Sequence, residues 1–178
     1  MSKPQGRKSG QQPRTAGAQA PRSNLVVYAL LTVAVLAVFR QLFGYDFVDL
    51  DDFTYVVNNP HVVARLTLRG TAWAFTHAHE GYWAPLTWLS YMADAQFFGL
   101  NAAAFHATNV VLHAASACLL FAALRRMTGA YWTSAFVAAL FAVHPLHVES
   151  VAWIAERKDV LSTFFCFLAI YLRYIFLR

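Results

Sequence analysis

The sequence predicts an all-α integral membrane protein, a helical bundle with about four transmembrane helices. Hydrophobic residues occupy 58% of the 178 positions and charged residues only 13%, against about 45–50% and about 25% in a soluble domain. Mean hydropathy is +0.43, and long apolar runs recur along the chain. This composition argues against a soluble globular domain, a disordered chain and a nucleic-acid-binding protein, although the pI is near 9.5.

The N-terminal segment differs from the rest of the chain. Residues 1–24 are rich in Gly, Pro, Ser and Gln and carry five cations and no acid, which predicts a disordered basic tail. The apolar run 25–44 is about 20 residues long, enough for a helix to cross a bilayer. A basic segment before an apolar run is also typical of a cleaved signal peptide. The long tail and Arg40, which can snorkel at the far interface, favour a retained anchor.

Three further apolar runs predict spans at about 105–124, 131–155 and 160–178. If the tail is cytoplasmic, alternation places the long loop 45–104 on the outer side. Nine of the 14 Lys and Arg residues then lie inside, in agreement with the positive-inside rule. All nine acidic residues lie at or near the outer face. This bias indicates that the polar chemistry of the protein takes place on the outer side.

Two short helices are predicted within the outer loop. Thr67 is a suitable N-cap for the first. The second runs from Pro85 to about Phe98 and ends at Gly99. It is rich in aromatic residues but contains Asp94, so we expect an interfacial helix on the outer leaflet rather than a span.

An acidic cluster follows the first span. Four aspartates close together repel one another, which raises some of their pKa values. Such a cluster suits a general base acting on a hydroxyl, or ligands for a divalent cation. A solvated acidic loop is the other interpretation, and the large apolar residues between the acids weigh against it. The four residues are Asp46, Asp49, Asp51 and Asp52.

A second polar cluster lies at the outer end of the third span. Two histidines stand one helical turn apart on either side of Pro145, which should kink or end the helix. Ionisable groups at this depth are costly and normally face a cavity or a partner. Imidazoles and cations beside a lipid boundary indicate a site for a lipid phosphate, and a helix-capping cluster is the alternative. The candidate substrate-binding residues are His144, His147, Glu149, Arg157 and Lys158.

Other histidines are weaker candidates. The pair His77 and His79 is poor evidence for a metal site, and surface solvation is the better interpretation. No nucleotide-binding, nucleophile-elbow or zinc-protease signature is present. A polar stripe on the second span is expected to form hydrogen bonds between helices. Its members are His106, Asn109, His113 and Ser116.

Three segments carry a family resemblance: FVDLDDFTYVVNNPH at 47–61, WAPLTW at 83–88 and HPLHVESVAWIAERKDVLS at 144–162. Together they resemble the membrane half of TMTC-like (transmembrane and tetratricopeptide-repeat-containing) protein O-mannosyltransferases, which have many bacterial relatives. That family is part of the GT-C superfamily of glycosyltransferases, which use lipid-phosphosugar donors. The resemblance covers roughly residues 25–178 and implies the N-terminal part of a GT-C-type helical bundle.

The resemblance implies transfer of a sugar, mannose in this family, from a polyprenyl-phosphate donor to Ser or Thr hydroxyls of a protein. Asp51 and Asp52 match the acidic pair at the GT-C active site, where one would act as general base. Carboxylates there would also stabilise oxocarbenium-like charge. No cofactor is expected besides the donor substrate, a polyprenyl-phosphate sugar. The use of a divalent metal is left open. The donor phosphate would contact His144, His147, Arg157 and Lys158.

The expected setting is a bacterial inner membrane, with the N-terminus cytoplasmic and the active face periplasmic. Expected partners are the lipid-linked donor, a protein acceptor and membrane lipids, but no nucleic acid. Family members have more spans and a C-terminal repeat array, so we expect a fragment or an incomplete gene product. The alternative function is a non-catalytic membrane anchor or scaffold for a tetratricopeptide-repeat protein. A transporter fragment is disfavoured because the acids cluster at one face rather than at mid-membrane.

Overall fold

The computed structural model describes residues 21–176, with side chains from residue 24 onward. This part of the chain is helical and contains no β-strand. The predicted disordered tail lies outside the described residues up to residue 20, but residues 21–24 are already helical, with proline at the first helical position. The helices are α1 Pro21–Phe39, α2 Pro60–Val63, α3 Leu68–Thr76, α4 Pro85–Phe98, α5 Ala102–Thr128, α6 Tyr131–Val143, α7 Val148–Ala152 and α8 Arg157–Phe176.

The protein is an all-α integral membrane protein, as predicted. Within residues 21–176, three segments are long and apolar enough to cross a membrane: Asn24–Gly44, Ala102–Thr128 and Ile154–Phe176. A fourth crossing would consist of α6 together with Pro145–Ala152, two parts bent by 48°. The last span thus begins at Ile154, several residues before the predicted start at 160, and continues to the end of the described residues.

The predicted span 131–155 is not one continuous helix. α6 ends at Val143, His144 is extended with φ −67° and ψ 130°, and Pro145 begins a separate turn. Proline has no N–H to continue the helical ladder, and its ring disfavours helical geometry in the residue before it. The break therefore follows directly from Pro145. The remaining segment to Glu156 consists of α7 and two short 3₁₀ turns, Pro145–His147 and Ile154–Glu156.

α5 is the central helix and packs against α1, α6 and α8. Its buried Phe121 contacts the rings of Tyr28 and Tyr131, and alanines such as Ala138 and Ala142 are completely buried. Small residues at these positions let helices approach closely without a hydrophobic driving force. We call the end where α5 and α8 begin the acidic end, and the end carrying Arg125 and Arg126 the basic end.

The segment 45–101 forms a helical cap over the acidic end. The two helices predicted there are confirmed: Thr67 accepts a hydrogen bond from the Gly70 N–H at 2.9 Å, and α4 ends at Gly99, whose φ of 65° favours glycine. A second buried core joins this cap to α5, with Trp88 only 1% exposed. The location of these helices at a lipid interface remains a prediction.

Candidate functional site

The two aspartates of the predicted catalytic pair have different environments. Asp52 is completely buried, and its carboxylate accepts hydrogen bonds from the N–H groups of Val48 at 3.0 Å and Ala155 at 2.8 Å. Burial raises the pKa of Asp52, although these two N–H donors oppose the change. Asp51 is half-buried. Of the two, only Asp51 is open to a substrate.

Asp51 belongs to a group of carboxylates around the buried phenol of Tyr55. Burial raises the pKa of Tyr55 to about 12, and the negative charge of Asp51 is the next largest cause. Glu80 and Glu156 also raise the pKa of this phenol. Contacts link both acids to Tyr82, whose ring lies 6.5 Å from that of Tyr55: Glu80 lies in the turn between His79 and Tyr82, and Glu156 pairs with Lys158 beside the Tyr82 ring. We call Asp51, Glu80 and Glu156 the acidic surface. They come from three separate segments, and only the fold brings them together.

A lysine lies at the edge of the acidic surface. The Nζ of Lys158 is 2.8 Å from Glu156 Oε1 and 5.3 Å from the centroid of the Tyr82 ring. The Tyr82 ring in turn lies 6.5 Å from the ring of Tyr55. Lys158 is partly exposed, so its charge is available beside the carboxylates. Opposite charges and aromatic faces together form a polar site open to solvent at the acidic end.

Arg157 occupies a different place from the one expected of an exposed phosphate ligand. Its side chain is completely buried and pairs with Asp94 on α4. It also donates hydrogen bonds to Ser90 Oγ at 3.2 Å, Asn109 Oδ1 at 2.9 Å and the Phe105 carbonyl at 2.8 Å. The guanidinium therefore joins α4, α5 and α8, and each of its three nitrogens already donates a hydrogen bond.

The two predicted histidines lie farther than Arg157 from the acidic end, measured along α5. The His147 ring is 4.5 Å from the Phe141 ring and 5.4 Å from the His113 ring, and His113 is one helical turn beyond Asn109 on α5. His144 is half-buried, with its ring 6.0 Å from that of His147. The structure thus brings the two histidines together beside His113, whereas Arg157 lies beside Asn109, one turn of α5 nearer the acidic end.

A polar cavity of about 240 Å³ adjoins His147. Ser150, at its wall, donates a hydrogen bond to Asp159 Oδ2 at 3.2 Å. Glu149, next to Ser150 in sequence, is exposed and does not line the cavity. Hydroxyl, imidazole and carboxylate groups make the cavity suited to a polar ligand. Its polar lining includes His113, Ser116, His147, Ser150, Asp159 and Thr163.

The polar stripe of α5 forms some of the hydrogen bonds between helices that the sequence predicts. Asn109 donates to the Val151 and Trp153 carbonyls at 3.3 and 3.2 Å, and His113 Nε2 lies 3.1 Å from the Ala142 carbonyl. Ser116 bonds only within its own helix, to Leu112. His106 is buried, and neither ring nitrogen forms a hydrogen bond of good geometry among the described residues, although the backbones of Asp46 and Ala152 approach the ring. The interhelical prediction thus holds for two of the four.

No group of three or more His, Cys, Asp or Glu side chains suited to a metal ion occurs in the part of the chain that the structure describes. His77 is exposed and bonds Thr76, whereas His79 is half-buried among the rings of Tyr55, Trp73 and Trp88. The expected solvation therefore fits His77 but not His79, which packs in an aromatic cluster.

Comparison with known proteins gives consistent relatives. The chain is 36% identical over 167 residues to protein O-mannosyl-transferase TMTC1 of Mus musculus, an alignment covering 86% of this chain. It is 41% identical over 103 residues to TMTC2 of Homo sapiens, covering 57%, and 32% identical over 167 residues to human TMTC4, covering 80%. This chain is a homologue of the TMTC protein O-mannosyl-transferases. The alignments span only 18%, 12% and 22% of those relatives' lengths.

Other comparisons find nothing for this TMTC homologue. No family model matches it, and no solved structure matches it. The relatives therefore support the TMTC resemblance, while the arrangement of the site rests on the geometry described above.

Sequence reasoning missed several residues of the site. Asp94 served only as evidence against a span, and Tyr55, Glu80 and Glu156 were not connected to Asp51. The one local signal was Glu156 directly before Arg157. Contacts between residues that are tens of positions apart leave no local pattern in the sequence. The acidic surface could therefore be recognised only from the tertiary structure.

Proposed function

We propose that this TMTC homologue contributes the acidic part of the active site of a glycosyltransferase that moves mannose from a polyprenyl-phosphate donor to protein Ser or Thr hydroxyls. The named activity of its relatives supports the reaction class. The observation that carries the proposal is the acidic surface: Asp51 is half-buried beside the solvent, and the contacts of Lys158 and Tyr82 connect Glu156 to the Tyr55 ring four residues after Asp51. A scaffold or anchor has no need of carboxylates concentrated in this way.

Asp51 is the proposed general base. Its carboxylate takes the proton of the acceptor hydroxyl while the hydroxyl oxygen bonds to the anomeric carbon of the sugar. The bond between that carbon and the phosphate oxygen breaks, and polyprenyl phosphate leaves with the bonding electrons. Positive charge develops on the sugar ring in such reactions, and nearby carboxylates stabilise it. Glu80 and Glu156 are the carboxylates proposed for that role, because their charges act on the same phenol as that of Asp51.

Asp52 has a positioning role in this proposal. Both of its oxygens bond backbone N–H groups, one at Val48 before it and one at Ala155 far along the chain. These bonds join the loop carrying Asp51 to the segment carrying Glu156. Removal of Asp52 would disturb the acidic surface without removing a group that touches the substrate.

The leaving phosphate is proposed to bind Lys158 and the histidines His144 and His147. Lys158 lies beside the acidic surface, and the histidines lie next to the polar cavity. Glu149, exposed and close to them in sequence, is a proposed acceptor for sugar hydroxyls. Arg157 supports this arrangement indirectly, because its buried bonds hold the start of α8 in place. A divalent cation remains an open part of the proposal.

The proposed orientation places the acidic end on the periplasmic side of a bacterial inner membrane. Its support is the charge distribution: Arg125, Arg126 and Arg173 lie at the basic end, and positive residues mark cytoplasmic loops.

The test is mannose transfer by the protein as its gene encodes it, purified in detergent with a labelled polyprenyl-phosphate mannose and a Ser/Thr peptide. Asp51→Asn should lower kcat by about 100- to 10,000-fold, the usual contribution of a general base. Asp49→Asn is the matched control, since Asp49 is exposed in the same loop. Equal turnover by Asp51→Asn and the control, at equal amounts in the membrane, would overturn the proposal and favour a scaffold.

A further inference from the structure

A groove with two chemically distinct parts lies at the basic end, away from the acidic surface. Its mouth has a volume of about 460 Å³ and its inner trough about 450 Å³. Tyr28, Ala122 and Tyr171 line both parts, so the two adjoin each other. These residues belong to α1, α5 and α8, and the groove therefore runs between three candidate spans.

The mouth is positively charged. Arg125 and Arg126 line it, and neither forms an ion pair with a carboxylate within the described residues 24–176. Each guanidinium instead lies near an aromatic ring, 5.5 Å from the centroid of Tyr131 and 5.3 Å from that of Tyr171, respectively. These contacts orient the two cations but do not neutralise them. An anion with several acceptor oxygens fits this arrangement.

The trough is apolar and follows the long axis of the bundle. Ala115, Cys118 and Leu119 line it from α5, and Phe164 and Leu168 line it from α8. From Ala115 to Ala122 the helix rises about 10 Å. The trough thus begins at the cationic mouth and continues toward mid-membrane between two spans. Its form is that of a site for a hydrocarbon chain attached to an anionic head.

We propose that this groove binds one anionic phospholipid, with its phosphate at Arg125 and Arg126 and one acyl chain in the trough. Basic pockets between transmembrane helices are suited to anionic headgroups. An apolar helix or a second copy of this chain would cover the trough but would leave both guanidinium groups without an anion. A zwitterionic lipid brings its own cation to the mouth and so matches the charge less well. The site is independent of the proposed transfer reaction, which takes place at the opposite end.

The test is lipid binding by the protein as its gene encodes it, purified in detergent and measured by native mass spectrometry. The probes are phosphatidylglycerol and phosphatidylcholine with identical acyl chains. We expect phosphatidylglycerol to bind with about tenfold or greater preference, given two arginines at the headgroup. We expect this preferential binding to saturate at one lipid per chain. Equal binding of the two lipids would overturn the proposal, as would a dimer whose formation excludes both.

Variants separate the head from the trough. Arg125→Gln with Arg126→Gln should abolish the preference for phosphatidylglycerol. Arg173→Gln should leave it unchanged, because Arg173 is exposed on α8 and does not line the groove. Leu119→Trp should fill the trough and weaken binding of both lipids. If Arg173→Gln lost the preference for phosphatidylglycerol to the same extent, the effect would be one of overall charge, and the proposed site would be wrong.

Two further measurements complete the test. Inorganic phosphate at matched concentration should neither bind nor displace the lipid, because it cannot occupy the trough; displacement would assign the mouth to a free anion instead. Helical content by circular dichroism verifies that each variant is folded. If the double arginine variant fails to fold, the wild-type preference and Leu119→Trp still decide the outcome.

Discussion

Arg157 and Asp94 form a buried ion pair across 63 residues of sequence. The same guanidinium lies 4.6 Å from the centroid of the Tyr91 ring and 5.3 Å from that of Phe105. On the other side, Asp94 accepts a hydrogen bond from Thr108 at 2.9 Å. Buried charges are tolerated when they are paired and fully hydrogen-bonded. This pair therefore attaches the helical cap to the bundle and determines where the acidic surface lies.

Loss of one partner should destabilise the fold strongly. Asp94→Asn or Arg157→Met should each lower the free energy of unfolding by about 3–5 kcal/mol, because the remaining charge would be buried without its counter-ion. Denaturant unfolding in detergent, followed by circular dichroism, measures this. Lys158→Gln is the control: its pair with Glu156 is partly exposed and should contribute about 1 kcal/mol or less. Similar values for Arg157→Met and Lys158→Gln would contradict the prediction.

Asn109 should control the order of the irregular segment before α8. Its side chain bonds the carbonyls of Val151 and Trp153 and accepts from Arg157. Asn109→Ala would remove the side-chain partner of the Val151 carbonyl and of the Arg157 Nε–H, at a cost of about 1–3 kcal/mol for each unsatisfied group, whereas the Trp153 carbonyl keeps its bond from the Glu156 N–H. We expect faster amide hydrogen exchange in residues 148–156 than in the wild type. Ser116→Ala, which removes only a bond within α5, should leave that segment unchanged, and acceleration spread evenly over the chain would oppose the prediction.

Asp52 should make stability depend on pH with a defined sign. Burial raises its folded pKa above the ordinary value of 3.8, so the folded state binds the proton more tightly than the unfolded state. The stabilisation is fully present below pH 3.8 and is lost as pH rises through the folded pKa. The unfolding free energy of the wild type minus that of Asp52→Asn should therefore decrease with rising pH. A difference that increases with pH would show that the N–H bonds outweigh burial; Asp49→Asn is the control for charge in this loop.

Local signals in the sequence predicted local structure well. Thr67 caps α3, Gly99 ends α4 and Pro145 breaks the third apolar run, each because the side chain or ring of one residue limits its own backbone. The same reasoning gave no sign that Arg157 is buried, since its neighbours in sequence, Glu156 and Lys158, are both partly exposed. It also treated Asp51 and Asp52 alike, although the fold buries only Asp52 completely.

By itself the sequence determined that this is a helical membrane protein and that Pro145 interrupts its third apolar run. These properties depend on composition and on short-range backbone chemistry. Tertiary structure alone decided which charges are exposed. Whether a carboxylate is a base, a buried partner or a backbone acceptor depends on groups from distant segments: Glu80 and Glu156 for Asp51, the Ala155 N–H for Asp52, and Arg157 for Asp94. Electrostatic free energy depends on distance and burial, and both arise only when the helices pack.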